Sequence, residues 1–542
     1  MDDELAEDVE LTRSESLLAP DDEESSRLLV AAEAAIDAPV APNAAVPKGL
    51  TFLNGIALVM SLQIGSGIFL TPSQVAKNVP NPGCGILVWF FGGVLVWTGV
   101  CSFIELGTSI ATNGGLQEYL RYCYGDFVGA FFSWTWVTIS RSASMAVVTA
   151  VFAEYLCKSV LPGPTVSAVA VKSVALIGLW LMTVLNWTGP KAGADFANKF
   201  LVVKLGALVL IATSGMISSS MGVGDGTATS PYGWFGTDPS LPQTSLMEQI
   251  SQFVTAIFAA LFAYNGFESI GFVLGDVQEP ARSLPRILHT AMTVVITGFI
   301  LTNMSLYMTL SMDQLRSTDT PTISFATKVL GPAGRVVLSI VVAISALGAL
   351  NANIFATASL SVAASQRGYF PKLLGNLHCS SQADEELLLD VHGRRLGRYL
   401  GFLITQFSRL TARSRWEKKV PVYAMTLNAM LVSMYLVLGT YDGLVTFIGI
   451  SQYFFYMLAA AGVFIIRRKD SDAGEQGRFR TGSWNPIIFI LCSSFIILRG
   501  VASNVSHGIA LCVLALVVFV VFKSRFSLGG HVQPVSLRGA GS

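Results

Sequence analysis

The sequence predicts an all-α integral membrane protein with twelve transmembrane helices. Of its 542 residues, 52% are hydrophobic and only 13% are charged, which is about half the charged fraction of a soluble domain. Mean hydropathy is +0.58. Apolar runs that could cross a bilayer, which needs about 20 residues each, recur along the chain. These runs exclude a water-soluble fold, because twelve of them cannot all be core helices.

The candidate spans are numbered 1 to 12 in chain order. They lie near residues 50–70, 85–107, 127–157, 169–190, 196–219, 249–275, 288–312, 334–366, 420–440, 443–466, 484–500 and 506–523. With the N-terminus inside, the inner segments hold 26 of the 35 Lys and Arg residues and the outer segments hold 7. Because positive residues favour the cytosolic side, both termini are predicted to be cytoplasmic.

Three segments flank or interrupt this membrane domain, which is predicted to cover residues 49–525. Residues 1–48 hold thirteen acidic residues and are predicted to be a disordered cytoplasmic tail. Residues 526–542 are predicted to be a cytoplasmic C-terminal tail. The plasma membrane is the favoured location, and Glu24-Ser25-Ser26-Arg27-Leu28-Leu29, which looks like an acidic dileucine sorting signal, keeps a vacuolar or endosomal membrane as the alternative.

The inner loop at 376–419 is unusual. It has an acidic start, then a cluster of arginines around an apolar stretch of nine residues from Tyr399 to Phe407, which is too short to span a bilayer. A basic amphipathic helix on the inner membrane surface is one interpretation. A flexible insertion and a mis-spliced segment are the others.

Span 1 contains a turn-forming motif in the middle of the membrane. Two glycines flank a serine in Gln63-Ile64-Gly65-Ser66-Gly67, and such residues are poor helix formers. Unwinding at this depth is tolerated only where the freed backbone lines a cavity. The freed amides, at the start of a half-helix, would suit a carboxylate. Close packing of helices through small residues is the alternative.

Span 6 carries a second such motif. It reads Phe262-Ala263-Tyr264-Asn265-Gly266-Phe267-Glu268, with the turn-favouring pair Asn-Gly in mid-span. Five spans separate the two motifs, so they occupy corresponding positions in two halves of five helices. Paired breaks of this kind point to the substrate site of an inverted-repeat transporter. An α-amino acid fits: its carboxylate would bind the amides at 65–67, and its ammonium the freed carbonyls near Gln63 and Phe262.

Four ionisable residues lie within spans, where a charge costs about 2.5–3.5 kcal/mol. They are Glu105, Arg141, Lys204 and Glu268. Structural ion pairing is the alternative to a functional role for Glu105 and Arg141. The Lys204 ammonium could replace a bound cation or carry a proton. Span 8 offers Asn351, Asn353, Thr357 and Ser359, at spacings that can place several polar atoms on one face, with polar contacts between helices as the alternative.

Signatures of enzymes and of cofactor or metal binding are missing from the sequence. It has no Walker A motif, no HExxH and no GxSxG, and its five histidines form no metal-ligand pattern. We therefore expect neither an enzyme nor a cofactor, a bound metal or a nucleic-acid partner. The expected partners are a small substrate and the lipid bilayer, with protons as an open alternative for coupling.

At these residues the chain resembles the amino acid–polyamine–organocation superfamily, and within it the L-type amino acid transporters and fungal methionine permeases. The resemblance covers roughly residues 50–525. It rests on the ordered motifs Ile64-Gly65-Ser66-Gly67-Ile68-Phe69 with Thr71-Pro72, Glu105-Leu106-Gly107-Thr108, Gly114-Gly115 with Tyr119 and Tyr124-Gly125, Phe262-Ala263-Tyr264, Glu279-Pro280 with Leu284-Pro285, and Arg367-Gly368 with Pro371.

The resemblance implies a 5+5 inverted repeat with broken helices 1 and 6, two additional helices, and alternating access. It implies that Gly65, Ser66 and Gly67 bind the substrate carboxylate and that carbonyls of spans 1 and 6 bind the amine. Phe262 matches a gating aromatic residue, and Asn351 matches a polar position near the substrate. Lys204 matches a lysine that stands in the place of sodium in sodium-coupled relatives, so sodium coupling is not expected.

The chain also departs from this pattern. Gln63 replaces an apolar residue and Glu268 replaces the Asn of animal relatives, and both changes could alter selectivity or introduce proton coupling. The segment 161–165 lacks the cysteine that joins animal L-type chains to a heavy chain, so no disulfide-linked heavy chain is expected. The favoured function is transport of neutral, methionine-type amino acids. An amino acid-sensing receptor and a polyamine or cationic amino acid permease are the alternatives.

Overall fold

The computed structural model describes residues 50–160, 167–187, 190–227, 232–236, 245–318, 320–375, 420–438, 441–472 and 479–503. Within these residues, ten helices are long and apolar enough to cross a membrane, and an eleventh apolar helix has 17 residues. These eleven helices confirm the all-α membrane fold and match predicted spans 1 to 11. Predicted span 12, both tails and the loop at 376–419 lie outside the described residues.

The helices follow the predicted order closely. Spans 1 to 11 occupy Phe52–Lys77, Pro82–Ser109, Asp126–Val160, Ala168–Trp187, Pro190–Ser220, Leu246–Asp276, Pro280–Thr309, Pro321–Gln366, Val422–Leu438, Tyr441–Asp472 and Trp484–Ser503. Two short helices, Leu116–Tyr124 and Met312–Ser317, follow spans 2 and 7, and a 3-10 turn at Lys372–Gly375 follows span 8. No helix was predicted in these three segments.

Three spans contain departures from α-helical geometry. Span 1 consists of the helices Phe52–Gln63 and Gly67–Lys77, and span 6 consists of the helix Leu246–Ala263 and the 3-10 helix Phe267–Asp276. Both predicted breaks are therefore confirmed. Span 3 contains a π-helical segment at Trp136–Arg141 that was not predicted. Such segments are frequent at functional sites, because the extra residue changes the direction of the side chains.

Span 8 is longer than predicted. It was expected at 334–366 but begins at Pro321, and its 46 residues include a kink at Gly331, where φ is +70°. Pro332 follows, and its ring is incompatible with a continuous helix before it. The glycine-proline pair therefore joins two helical segments, of which only the second was predicted.

The broken spans lie at the centre of the bundle. The most apolar window of span 1 is 83% buried, against 22% for that of span 11, so span 11 is peripheral. The Tyr264 hydroxyl donates to the Trp89 carbonyl at 3.0 Å, and the Tyr155 hydroxyl donates to the Phe69 carbonyl at 3.1 Å. These bonds hold the break in span 6 against span 2, and the second half of span 1 against span 3.

Candidate functional site

The break in span 1 releases backbone groups from helical pairing. The first half ends with the Ile64 amide donating to the Met60 carbonyl at 2.8 Å, and the Ile64 ψ of 65° then leaves the helix. Helical bonding resumes after Ser66. No bond from the amides of Gly65, Ser66 or Gly67 occurs within the described part of the chain. Three donors are thus left without a helical partner at the start of Gly67–Lys77.

The break in span 6 depends on one glycine. Gly266 has a φ of +118°, which L-residues with a side chain rarely adopt. A Cβ there would also lie 2.8 Å from the Cβ of Leu62. At the neighbouring contact, a Cβ on Gly67 would lie 2.8 Å from the Cα of Ala263. The two breaks therefore pack directly against each other, and glycine is required at both contacts.

A cavity of about 40 Å³ lies between the two breaks. It is lined by Leu62, Gln63, Gly65, Ser66, Gly67, Arg141, Ser144, Val148, Phe262, Ala263, Asn265, Gly266, Asn353 and Gln452. Seven of the nine substrate-binding residues predicted from the sequence are among them. The other two, Ile64 and Asn351, lie elsewhere. Ile64 is fully buried, with its carbonyl accepting from Ser345.

Asn351 lies on a different face of span 8 from the one expected. Its Oδ1 accepts from Asn186 Nδ2 of span 4 at 2.7 Å, which is a polar contact between helices. Asn353, two residues further on, lines the cavity instead. A shift of two residues on a helix rotates a side chain by roughly 200°. Asn351 and Asn353 therefore cannot both face the cavity. The sequence does not separate the two asparagines, because both belong to the same set of polar residues in span 8.

Two of the four intramembrane charges form a buried ion pair beside the cavity. Arg141 Nη2 donates to Glu268 Oε1 and, at 2.5 Å, to Ser269 Oγ, while Nη1 donates to Asn353 Oδ1 at 2.9 Å. Glu268 Oε2 accepts from the Gly266 amide at 3.1 Å. The carboxylate therefore caps the break in span 6, and the guanidinium of span 3 neutralises it.

Glu105 takes no part in this site. Its carboxylate accepts two bonds from Arg467 at 2.6 and 2.8 Å, and two more from the amide and hydroxyl of Thr481. Arg467 lies near the end of span 10, and Glu105 near the end of span 2. This pair joins two helix ends away from the cavity, which is the structural ion pairing that the sequence analysis kept as an alternative.

Lys204 lies behind the break in span 1. Its side chain is fully buried, and Nζ donates to the Ser61 carbonyl at 2.5 Å. In an unbroken helix that carbonyl would accept from the Gly65 amide, so the lysine uses a group that the break releases. A Cβ on Gly348 would lie 3.0 Å from the Lys204 Cε. The Lys204 amino group is thus held between span 1 and span 8, outside the lining of the cavity.

Several residues at the site were not identified from the sequence. Gln452 of span 10 lines the cavity and accepts from Asn265 Nδ2 at 2.9 Å. Its only signal was a single amide in an apolar run. A second cavity, of about 290 Å³, lies between the ends of spans 4, 6 and 8 and the start of span 9, lined in part by Asn186, Phe272 and Ser359. Ser359 is among the polar residues of span 8 that the sequence singled out, but no sequence pattern indicated a second cavity.

An ion cluster at the end of span 8 was also missed. Glu118, in the helix Leu116–Tyr124, accepts from Arg367 at 3.0 and 2.8 Å and from Arg121 at 3.0 Å. Burial acts to raise the pKa of the Glu118 carboxyl, but the hydrogen bonds from Arg367 and the two positive charges outweigh it and lower that pKa. Arg367 belongs to a motif of the resemblance and could have indicated an ion pair, but the sequence did not indicate that Glu118 is its partner.

The chain matches the model of a known family over a range that includes all of its described residues. The match, to a family described as amino acid permease, covers residues 50–522. The chain belongs to the amino acid permease family. It is therefore a multi-pass membrane protein of the amino acid–polyamine–organocation superfamily, and amino acid transport, rather than enzymatic catalysis, is the activity this membership supports.

Individual relatives of this permease agree with that assignment. It is 26% identical over 481 residues to the b(0,+)-type amino acid transporter 1 of Mus musculus, covering 88% of each chain. It is 24% identical to the cystine/glutamate transporter of Homo sapiens, covering 84% of this chain and 81% of the relative. It is 23% identical to the large neutral amino acids transporter small subunit 2 of Mus musculus, covering 87% and 80%.

Proposed function

We propose that this permease carries neutral L-amino acids by sodium-independent alternating access, and that the cavity between the two breaks is its substrate site. The observation that carries the proposal is the direct packing of the breaks at Gly67 and Gly266 around a cavity whose lining arginine, Arg141, is neutralised by Glu268. Large neutral side chains of the methionine type remain the expectation from the resemblance, and Leu62, Val148 and Phe262 supply apolar lining for them.

The backbone supports binding of the two charged ends of an amino acid. The amides of Gly65, Ser66 and Gly67 form an electropositive nest at the start of a half-helix, which suits the carboxylate. Carbonyls at Gln63 and Phe262, where the two helices end, suit the ammonium. In this arrangement the protein binds the carboxylate and ammonium groups, which all amino acids share, through its backbone and without a charged side chain. The remaining residues of the lining would then contact only the side chain of the substrate.

The balance of charges supports a neutral side chain. Arg141 and Glu268 both lie at or beside the cavity and neutralise each other. A polyamine or a cationic side chain would need an acidic group that is free to pair with it, and Glu268 is already engaged. This pairing disfavours the polyamine alternative. The sensing alternative differs only in flux, and measured uptake separates the two.

Lys204 supports independence from sodium. A fixed ammonium between spans 1 and 8 would repel a cation at the same place and would supply the positive charge that a cation supplies elsewhere. We expect uptake to be the same in sodium and in choline medium. Proton coupling through Lys204 or Glu268 is the remaining alternative, and uptake with and without a pH gradient distinguishes it from exchange.

The setting in the membrane follows from the same proposal. We infer that both tails are cytoplasmic, that residues 49–525 form the transporter domain, and that the plasma membrane is the favoured location. We also infer that no heavy chain is joined by a disulfide, although residues 161–166 lie outside the described part. Cys84 and Cys157, which the predicted orientation places near the outer side, are free thiols in the structure.

Uptake by the purified full chain in proteoliposomes tests the proposal. Labelled neutral amino acids should be taken up, and Gly67→Ala should lower uptake at least about tenfold, because a misplacement of about 1 Å at a binding site costs that much or more. The added Cβ would meet the backbone of Ala263 at 2.8 Å.

The matched control is Gly206→Ala in span 5. A Cβ there has no neighbour within 4 Å, so uptake should stay at the wild-type level. Normal uptake by Gly67→Ala, alongside correct insertion of both variants, would place the substrate site elsewhere. Binding without flux in the wild type would favour the sensing receptor.

A further inference from the structure

The cavity between the breaks carries more hydrogen-bonding capacity than the backbone of an amino acid needs. Side-chain amides of Gln63, Asn265, Asn353 and Gln452 all line it. Asn353 is engaged by Arg141 and by the Ala349 carbonyl. The other three, from spans 1, 6 and 10, form a polar wall whose bonding is incomplete.

The orientation of the Gln63 amide is set by its neighbours. Its Nε2 donates to the Tyr264 carbonyl at 3.0 Å. A carbonyl only accepts, so the nitrogen must face it, and the opposite assignment of the amide is excluded. Gln63 is 1% exposed, and its Oε1 has no hydrogen-bond partner among the residues that the structure describes. An oxygen beside the cavity thus requires a donor.

The Asn265–Gln452 pair is also incomplete. Asn265 Nδ2 donates to Gln452 Oε1, and Asn265 Oδ1 is buried without a partner in the described part of the chain. Exchanging nitrogen and oxygen in both amides would preserve the bond and would leave an unpaired donor instead. In either assignment one polar atom of Asn265 is unsatisfied. A ligand group that both donates and accepts would satisfy it in both cases.

We propose that Gln63, Asn265 and Gln452 make this permease selective for neutral amino acids whose side chains hydrogen-bond through an amide or a hydroxyl group. This inference rests on the proposed function, in which the cavity binds the amino acid. A purely apolar side chain of the same shape would leave the orphaned amide atoms buried and unpaired. Sites built to hydrogen-bond a substrate group reject analogues that lack it far more strongly than apolar pockets reject a change in size.

The inference refines the methionine-type expectation. Methionine offers a thioether, which is a weak acceptor and no donor, and it cannot satisfy Gln63 Oε1. Glutamine has a similar length and carries an amide. We therefore expect glutamine to be preferred to methionine, although both are neutral and both fit the charge-balanced lining.

Isosteric pairs of substrates test the inference without any mutation. Threonine and valine have the same shape, and so do asparagine and leucine, but only the first member of each pair hydrogen-bonds. In proteoliposomes holding the wild-type full chain, uptake efficiency should favour threonine over valine, and asparagine over leucine, by about tenfold or more. A ratio at or below one in both pairs would overturn the inference.

Gln452→Met then tests the residue. It keeps the length of the side chain and removes the amide, so the threonine-to-valine ratio should fall towards one through slower uptake of threonine. A ratio that stays at the wild-type value would overturn the role of Gln452. Gln249→Met, at the exposed start of span 6, is the matched control and should keep the wild-type ratio.

The two proposals fail in different ways. If no neutral amino acid enters the vesicles, both the proposed function and the selectivity inference are wrong. If valine and leucine enter as well as threonine and asparagine do, the proposed function holds and only the selectivity inference is overturned.

Discussion

At the scale of single residues, the Arg141–Glu268 ion pair makes the candidate site electrically neutral. The two side chains are 4% and 0% exposed, so each charge would be costly without the other. Glu268 also accepts from the Gly266 amide, and this bond ties the pair to the break in span 6. The sequence identified both residues as intramembrane charges. It could not pair them, because they lie 127 positions apart and on different helices.

Removing one member of this pair should be worse than removing both. Arg141→Met should lower the free energy of unfolding by about 3–5 kcal/mol, because it leaves a buried carboxylate without compensation. Adding Glu268→Gln to that variant should recover most of the loss, since the uncompensated charge is then gone. Thermal unfolding of the purified variants in detergent measures both effects.

The Lys158–Glu154 pair provides the control. Its side chains are 32% and 35% exposed, and Lys158→Met should cost no more than about 1 kcal/mol. If the loss in the Arg141→Met, Glu268→Gln double variant equals the sum of the single losses, the two residues do not act as a pair.

At the scale of elements, the breaks were predictable because their cause is local. Glycine beside serine, or after asparagine, lowers helix propensity wherever it occurs. In the middle of the membrane, a helix that unwinds there must place its freed backbone groups in a cavity or against other protein groups. The kink at Gly331 and the π-helical segment Trp136–Arg141 were not predicted. The kink follows a helical segment that precedes the predicted start of span 8, and the π-helical segment depends on packing between helices that no local pattern records. Gln452 was missed for the same reason, since its role depends on Asn265.

The two left-handed glycines in spans 6 and 8 should respond differently to alanine. Gly266 and Gly331 both have positive φ, at +118° and +70°, so a Cβ strains the backbone at each by about 1–2 kcal/mol. Only at Gly266 would the Cβ also meet a neighbour, the Cβ of Leu62 at 2.8 Å, whereas no atom lies within 4 Å at Gly331.

We therefore expect Gly331→Ala to lower the melting temperature slightly and to retain uptake. Gly266→Ala should lower the melting temperature further and abolish uptake, because it forces the two breaks apart. Equal effects of the two substitutions on melting and uptake would show that backbone strain alone matters, and that the contact between the breaks does not.

At the scale of the whole molecule, ion pairs serve two distinct purposes. The pair beside the cavity neutralises the site in mid-membrane. The Glu105–Arg467 and Glu118–Arg367 pairs join the ends of helices that are far apart in sequence. In the predicted orientation these ends are cytosolic, where water can reach the arginines. The motif residues Glu105 and Arg367 of the family resemblance thus lie outside the cavity between the two breaks, and they join helix ends around it.

The Glu118 cluster should make stability depend on pH in the acid range. In the folded protein the pKa of the Glu118 carboxyl is lowered from its ordinary value of 4.5. The carboxylate therefore contributes its full stabilisation above about pH 4.5, which is the pKa expected in the unfolded chain. The contribution is lost as pH falls below 4.5 and through the pKa of Glu118 in the folded protein.

Glu118→Gln removes the charge at every pH. The wild type should therefore melt at a higher temperature than this variant at pH 7, and the difference should shrink towards pH 3.5. A difference that stays constant over this range would mean that Glu118 stabilises the cluster by packing and neutral hydrogen bonds, and that its pairing with Arg367 contributes no charge-dependent stability.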